Sequence, residues 1–127
     1  MIVGIGTDLL ALARMRAAWQ RRGEALAERL LHPDEQALLA GKDDPARWLA
    51  KRFAAKEALL KALGTGLRQG LSWHDMAILP DELGRPEVSW HGVAGVRIET
   101  LGACRTHLSI SDETDYVVAF AVIESGA

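Results

Sequence analysis

The stretch from Asp44 to Gly64 constrains the fold more than any other part of this chain. Asp44 is a strong N-cap, Pro45 suits the first helical position, and Gly64 stands where a helix can end in left-handed backbone. The sequence therefore predicts a helix from Pro45 to Leu63, about five turns long. On a wheel of about 100° per residue, Trp48, Leu49, Phe53, Leu59, Leu60 and Leu63 cover one arc. A helix with such a face must bury it against a second layer.

The flanking segments supply that layer. Met1 to Ile5 alternates weakly and runs into Gly4-Ile5-Gly6-Thr7-Asp8, which reads as a short strand entering a turn. From Ala11, the positions Leu12, Met15 and Trp19 recur at helical spacing until Gly23. A second helical stretch carries Leu26, Leu30 and Leu31, and His32-Pro33-Asp34 restarts the chain with Pro33 as a first helical residue. Beyond the long helix, Met76 and Ile78 alternate, 80–86 is a turn cluster, and Val88 and Trp90 alternate again, as in a hairpin. Gly92 to Leu101 predicts a short helix. Thr106 to Ser111 alternates, with His107, Ser109 and Ser111 on one face. Asp112 to Asp115 makes a turn, and Tyr116 to Ile123 is apolar on both faces, as a central strand is. The expected class is α+β: one domain over 1–127, an antiparallel sheet packed with a long core helix.

Composition narrows the function. With 127 residues, 49% hydrophobic and 25% charged, the chain can build one core and not two. Fifteen basic against seventeen acidic residues leave a net charge of −2, which argues against a nucleic-acid binder. The single cysteine, Cys104, cannot form an internal disulfide. The longest apolar run falls short of the ~20 residues that span a bilayer, and no basic-then-apolar leader opens the chain. The expected setting is the cytoplasm, with neither membrane nor nucleic acid as partner. Between Asp8 and Gly23, however, four arginines (Arg14, Arg16, Arg21, Arg22) face a single acid, and Arg14 and Arg21 share a helix face suited to an acidic partner.

Several residues could carry chemistry. Asp8 follows a Gly-flanked strand end, where it is either a turn or N-cap residue or a carboxylate pointing out of the fold. Glu57 lies on the edge of the apolar arc, so it either pairs with Lys61 one turn on or needs a cation or donor of its own. Lys56 falls inside the arc, either snorkelling to water or reaching an anionic ligand. Gly64-Thr65-Gly66 lets the backbone turn sharply and approach a ligand. His107, Ser109 and Ser111 are either a solvent-facing row or a binding edge. Two distant carboxylates with lysines and a glycine turn suit Mg²⁺ bound through few protein oxygens, the rest being water and phosphate. Zinc is disfavoured, and neither a Gly-x-Ser-x-Gly elbow nor a Walker loop is present.

Taken together, Gly4-Ile5-Gly6-Thr7-Asp8, the run from Arg47 to Ala58 (RWLAKRFAAKEA), Lys61 and Gly64-Thr65-Gly66 resemble the short form of the 4′-phosphopantetheinyl transferase superfamily, the holo-[acyl-carrier-protein] synthases. The segments 81–86 and 107–112 are similar to that family as well, and the likeness runs from residue 1 to about 124. The resemblance implies transfer of the phosphopantetheine arm of coenzyme A to a serine of apo acyl carrier protein, releasing adenosine 3′,5′-bisphosphate. It implies a catalytic group of Asp8, Glu57 and Lys61, with Asp8 and Glu57 holding Mg²⁺. Lys56, Lys61, Gly64, Gly66, His107 and Ser109 would meet coenzyme A, and Arg14 and Arg21 the carrier protein. It also implies a homotrimer whose three sites lie between subunits, because longer superfamily members carry two copies of this unit around one cleft. Position 112 departs from the Ser-His ending of some relatives, and no role is assigned to Asp112.

Overall fold

The computed structural model describes residues 1–126 apart from the side chains at 103 and 104, so the expected lone thiol of Cys104 lies outside the described residues. In chain order the elements are β1 (Ile2–Ala11), α1 (Leu12–Arg22), α2 (Glu24–Leu30), α3 (Pro33–Leu39) and α4 (Pro45–Leu63). A 3-10 turn at Trp73–Asp75, β2 (Met76–Pro80), β3 (Pro86–Trp90), α5 (Gly92–Thr100), β4 (Ala103–Asp112) and β5 (Tyr116–Ser125) follow. The strands form a three-stranded antiparallel sheet in the order β1-β5-β4 and a separate β2-β3 hairpin. The α+β class, the antiparallel sheet and the long helix against it are as expected.

Helix α4 begins and ends where its caps place it. The Asp44 side chain accepts from the Arg47 amide, and Gly64 takes the left-handed conformation at φ 81°. Its apolar face, with Leu49, Ala50, Leu59 and Leu63 buried, packs against Val117, Ala119, Ala121 and Ile123 of β5 and against β1. The core is this helix–sheet interface. No helix among the described residues is long and apolar enough to cross a membrane.

Two expectations are corrected. β1 does not turn at Gly4–Asp8 but runs unbroken to Ala11, paired with β5 along its length, so Asp8 is a mid-strand residue and neither a turn nor an N-cap residue. The glycines that looked like turn formers instead let β1 lie against α4. The apolar β5 is the central strand, yet only one of its faces is covered. Val117, Ala119, Ala121 and Ile123 face α4, while Tyr116, Val118 and Phe120 are exposed beside Ile5 and Leu9 of β1.

Candidate active site

Strand β1 lies directly on α4 because it has no side chains where the two meet. A Cβ placed on Gly6 would come within 1.9 Å of the Ala58 carbonyl oxygen, and one on Gly4 within 1.9 Å of that of Ala62. Side chains alternate along a strand, so the face carrying Gly4 and Gly6 toward the helix also carries Asp8, with Leu10 buried beyond it. Lys61, on the neighbouring surface of α4, donates to the Thr7 carbonyl at 2.9 Å and to Asp8 Oδ1 at 3.3 Å. Glu57 lies one turn earlier on the same helix, and its Oε1 accepts from the Trp73 indole at 3.1 Å. The simple Glu57–Lys61 surface pair is therefore not what forms: Lys61 turns to Asp8, and Glu57 to Trp73.

This donor set fits a hard divalent cation. Asp8 and Glu57 come from two packed elements, and each retains an oxygen with no hydrogen-bond partner among the described residues. Among the described residues no group of three or more His, Cys, Asp or Glu side chains could hold a metal. The pair thus matches Mg²⁺, which keeps several waters and takes the rest of its oxygens from phosphate, better than a metal caged wholly by protein.

Lys56 does not belong to this surface. It is fully buried, and its Nζ donates to Glu35 Oε1 (2.5 Å), the Leu30 carbonyl (2.8 Å) and the Trp73 carbonyl (3.0 Å). All three hydrogens of the ammonium are used, so no donor is left for an anionic ligand. Burial pulls its pKa below the usual lysine value, against the opposing pull of Glu35. The expectation that Lys56 meets coenzyme A is corrected accordingly. Its partner Glu35 escaped the sequence reading. It is equally buried on α3 and accepts from the His32 and Ile78 amides at 2.9 and 3.0 Å as well. The available signal was a capping box, an acid three residues after the N-cap His32.

The glycine turn is partly as expected. Gly64 and Gly66 both have positive φ, and none of the described residues lies within 4 Å of a Cβ at either, so a ligand can approach the backbone closely. Their amides, however, donate back to the Lys61 and Leu60 carbonyls to close the helix, so these two N–H groups are not free donors for a phosphate.

His107 and Ser109 lie elsewhere. In the register β1-β5-β4, Asp8 pairs with Ala119, whereas His107 and Ser109 pair with Val122 and Phe120. Paired residues share a sheet face, so His107 and Ser109 are on the side opposite Asp8. His107 lines a cleft of about 780 Å³ between β3 and β4, together with Arg85, Arg105, Val88, Trp90 and Leu108. One chain does not bring the two halves of the expected site together. Asp112, left without a role, accepts from Arg47 at 2.8 Å and lies 3.5 Å from Lys51, tying the end of β4 to α4.

Arg14 and Arg21 do share a face. With Arg22 and Arg29 they rim a groove of about 270 Å³ whose apolar lining includes Leu10, Met15, Leu26, Phe53 and Trp73. An apolar trough between cations suits an amphipathic helix with an acidic flank. Arg16, the fourth arginine of the cluster, is spent on structure: both its terminal nitrogens bind Asp44, at 3.0 and 2.9 Å, linking α1 to the start of α4.

Comparison with known proteins identifies the family and the fold. The family model for the 4′-phosphopantetheinyl transferase superfamily matches residues 4–121. The chain is 48% identical over 124 residues to the holo-[acyl-carrier-protein] synthase of Vibrio parahaemolyticus, covering 98% of each. Its fold is similar to the crystal structure of that enzyme from Neisseria meningitidis, with a TM-score of 0.90 and 44% identity over 98% of this chain and 100% of that one. The Bacillus anthracis enzyme in complex with CoA (3′,5′-ADP) superposes with a TM-score of 0.82 at 33% identity, covering 99% of both chains. The chain belongs to the holo-[acyl-carrier-protein] synthase family of the 4′-phosphopantetheinyl transferase superfamily.

Proposed function

We infer that the chain transfers the 4′-phosphopantetheine group of coenzyme A to a serine of an apo acyl carrier protein and releases adenosine 3′,5′-bisphosphate. The observation that carries this reading is the pairing of Asp8 with Lys61 across the β1–α4 contact, with Glu57 one turn earlier on α4, beside an apolar groove rimmed by arginines. The serine oxygen attacks the phosphorus bearing the pantetheine arm, and the bond to the nucleotide phosphate breaks. The nucleophile belongs to the partner, so this chain needs no activated nucleophile and supplies position and charge.

Asp8 and Glu57 would hold Mg²⁺, which when bound neutralises charge on the pyrophosphate. Lys61, half-exposed beside Asp8, presents an ammonium to the same phosphates. Gly64 and Gly66 let the nucleotide pass close to the backbone. Arg14 and Arg21 dock the acidic helix of the carrier protein. His107 and Ser109 meet the nucleotide from the other sheet face, which requires a second copy of the chain. The exposed Ile5, Leu9, Val118 and Phe120 on that face support a homotrimer with sites between subunits. A single cysteine and the absence of a membrane-crossing helix among the described residues support work in the cytoplasm.

The test is the intact mass of an apo acyl carrier protein after incubation with this protein, coenzyme A and Mg²⁺, with a parallel sample in EDTA. A gain of one phosphopantetheine, abolished by EDTA and by Glu57→Gln while carrier binding persists, is expected. Transfer that continues unchanged in Glu57→Gln removes the metal role assigned here.

A further inference from the structure

We propose that Trp73 is a positioning residue: its indole N–H fixes the Glu57 carboxylate for the metal, and its backbone is anchored for that purpose by the buried Glu35–Lys56 pair. The inference rests on the reading of Asp8 and Glu57 as Mg²⁺ ligands.

Two successive residues of α4 grip the two ends of Trp73. Lys56 donates to its backbone carbonyl at 3.0 Å, and Glu57 accepts from its Nε1 at 3.1 Å. The 3-10 turn that begins with Trp73 is itself held by a reciprocal capping box between Ser72 and Asp75. The ring has little freedom either, lying 6.0 Å from the Phe53 ring and 5.8 Å below the Arg29 guanidinium. The donor aimed at Glu57 is therefore fixed before any ligand arrives.

A glutamate has three side-chain torsions, and ordering it costs rotamer freedom. A rigid donor on Oε1 bears that cost in advance and leaves Oε2 for the cation. Groups that hydrogen-bond a ligating carboxylate in this way change metal affinity by about 10–100-fold when removed. The same indole also borders the arginine-rimmed groove, so the residue that sets the metal ligand touches the surface where the partner docks.

Mn²⁺ serves as the probe, with free ion counted by electron paramagnetic resonance on full-length protein and coenzyme A. Trp73→Phe keeps an aromatic ring and removes the N–H, so Mn²⁺ binding is expected to weaken by about tenfold. Wild-type affinity in Trp73→Phe, with weakened binding in Glu57→Gln, overturns the role of the indole and leaves the metal reading standing. Wild-type affinity in both variants overturns the metal reading too. Because the substitution could disturb packing, the unaltered protein gives an independent measure. Among the four tryptophan indole signals of ¹⁵N-labelled protein, Mn²⁺ should broaden first the one missing from Trp73→Phe. Equal broadening of all four, or none at saturating Mn²⁺, also overturns the proposal.

Discussion

Replacing Gly6 by alanine adds one methyl group where β1 crosses α4. That carbon would lie 1.9 Å from the Ala58 carbonyl oxygen and 2.8 Å from the Ala62 amide nitrogen. Neither neighbour can rotate away, because both are backbone atoms inside a helix, so the strand must lift by more than an ångström. Overpacking of this sort costs typically about 1–3 kcal/mol, and backbone against backbone belongs at the upper end. For a domain of this size about 3 kcal/mol lowers the melting temperature by roughly 10 °C. Activity should suffer more than stability. Asp8 rides on the lifted strand while Glu57 stays on the helix, and misplacement of about 1 Å in a catalytic constellation costs on the order of a hundredfold. Thermal unfolding at fixed protein concentration and the carrier mass assay read the two effects. Gly41→Ala is the matched control, since none of the described residues lies within 4 Å of a Cβ there. A Gly6→Ala protein that melts within about 2 °C of wild type and transfers at full rate refutes the argument.

Three further outcomes are expected. Arg21→Glu should raise the KM for carrier protein at least about tenfold, with the KM for coenzyme A unchanged and the defect shrinking in high salt; equal changes in both constants would place Arg21 elsewhere. Two hydrogen bonds from Arg16 hold the Asp44 carboxyl at about 2, below its usual 3.8. The folded protein thus binds this proton more weakly than the unfolded chain, and the stability from the pair is complete above about pH 4 and lost as pH falls toward 2. A carbon-13 titration midpoint near 3.8 for Asp44 would contradict the pairing. Finally, Glu57→Gln and His107→Ala subunits, each impaired alone, should regain about a quarter of wild-type activity when mixed and reassembled. No recovery would mean that one chain supplies both halves of the site.

The sequence carried the frame of the site and stopped where neighbours had to be known. The ends of α4 were legible because Asp44, Pro45 and Gly64 act locally, through caps whose physics involves a few adjacent residues. Asp8, Glu57 and Lys61 were legible as candidates, but the approach of Asp8 to α4 depends on Gly4 and Gly6, which looked like turn formers and are contact formers instead. Lys56 shows the limit of a helical wheel. The wheel placed it on the buried arc but could not say what that arc would meet, and the acid that satisfies it lies 21 residues away on α3. The split of Asp8 from His107 was out of reach for a similar reason. Strand alternation gives each face locally, while relating the faces of β1 and β4 requires the sheet order and register.

The cleft beside His107 has a mechanical property that follows from the division into two sheets. Its walls, β3 and β4, belong to different ladders, and side chains meet across it: the Trp90 indole donates to Thr106 Oγ1 at 3.0 Å, above a lining of Val88 and Leu108. Prising two strands of one ladder apart breaks a row of backbone hydrogen bonds. Among the described residues, parting these two walls slides side chains and strains the Trp90–Thr106 hydrogen bond, so the gap is more compliant in width than either wall is along its length.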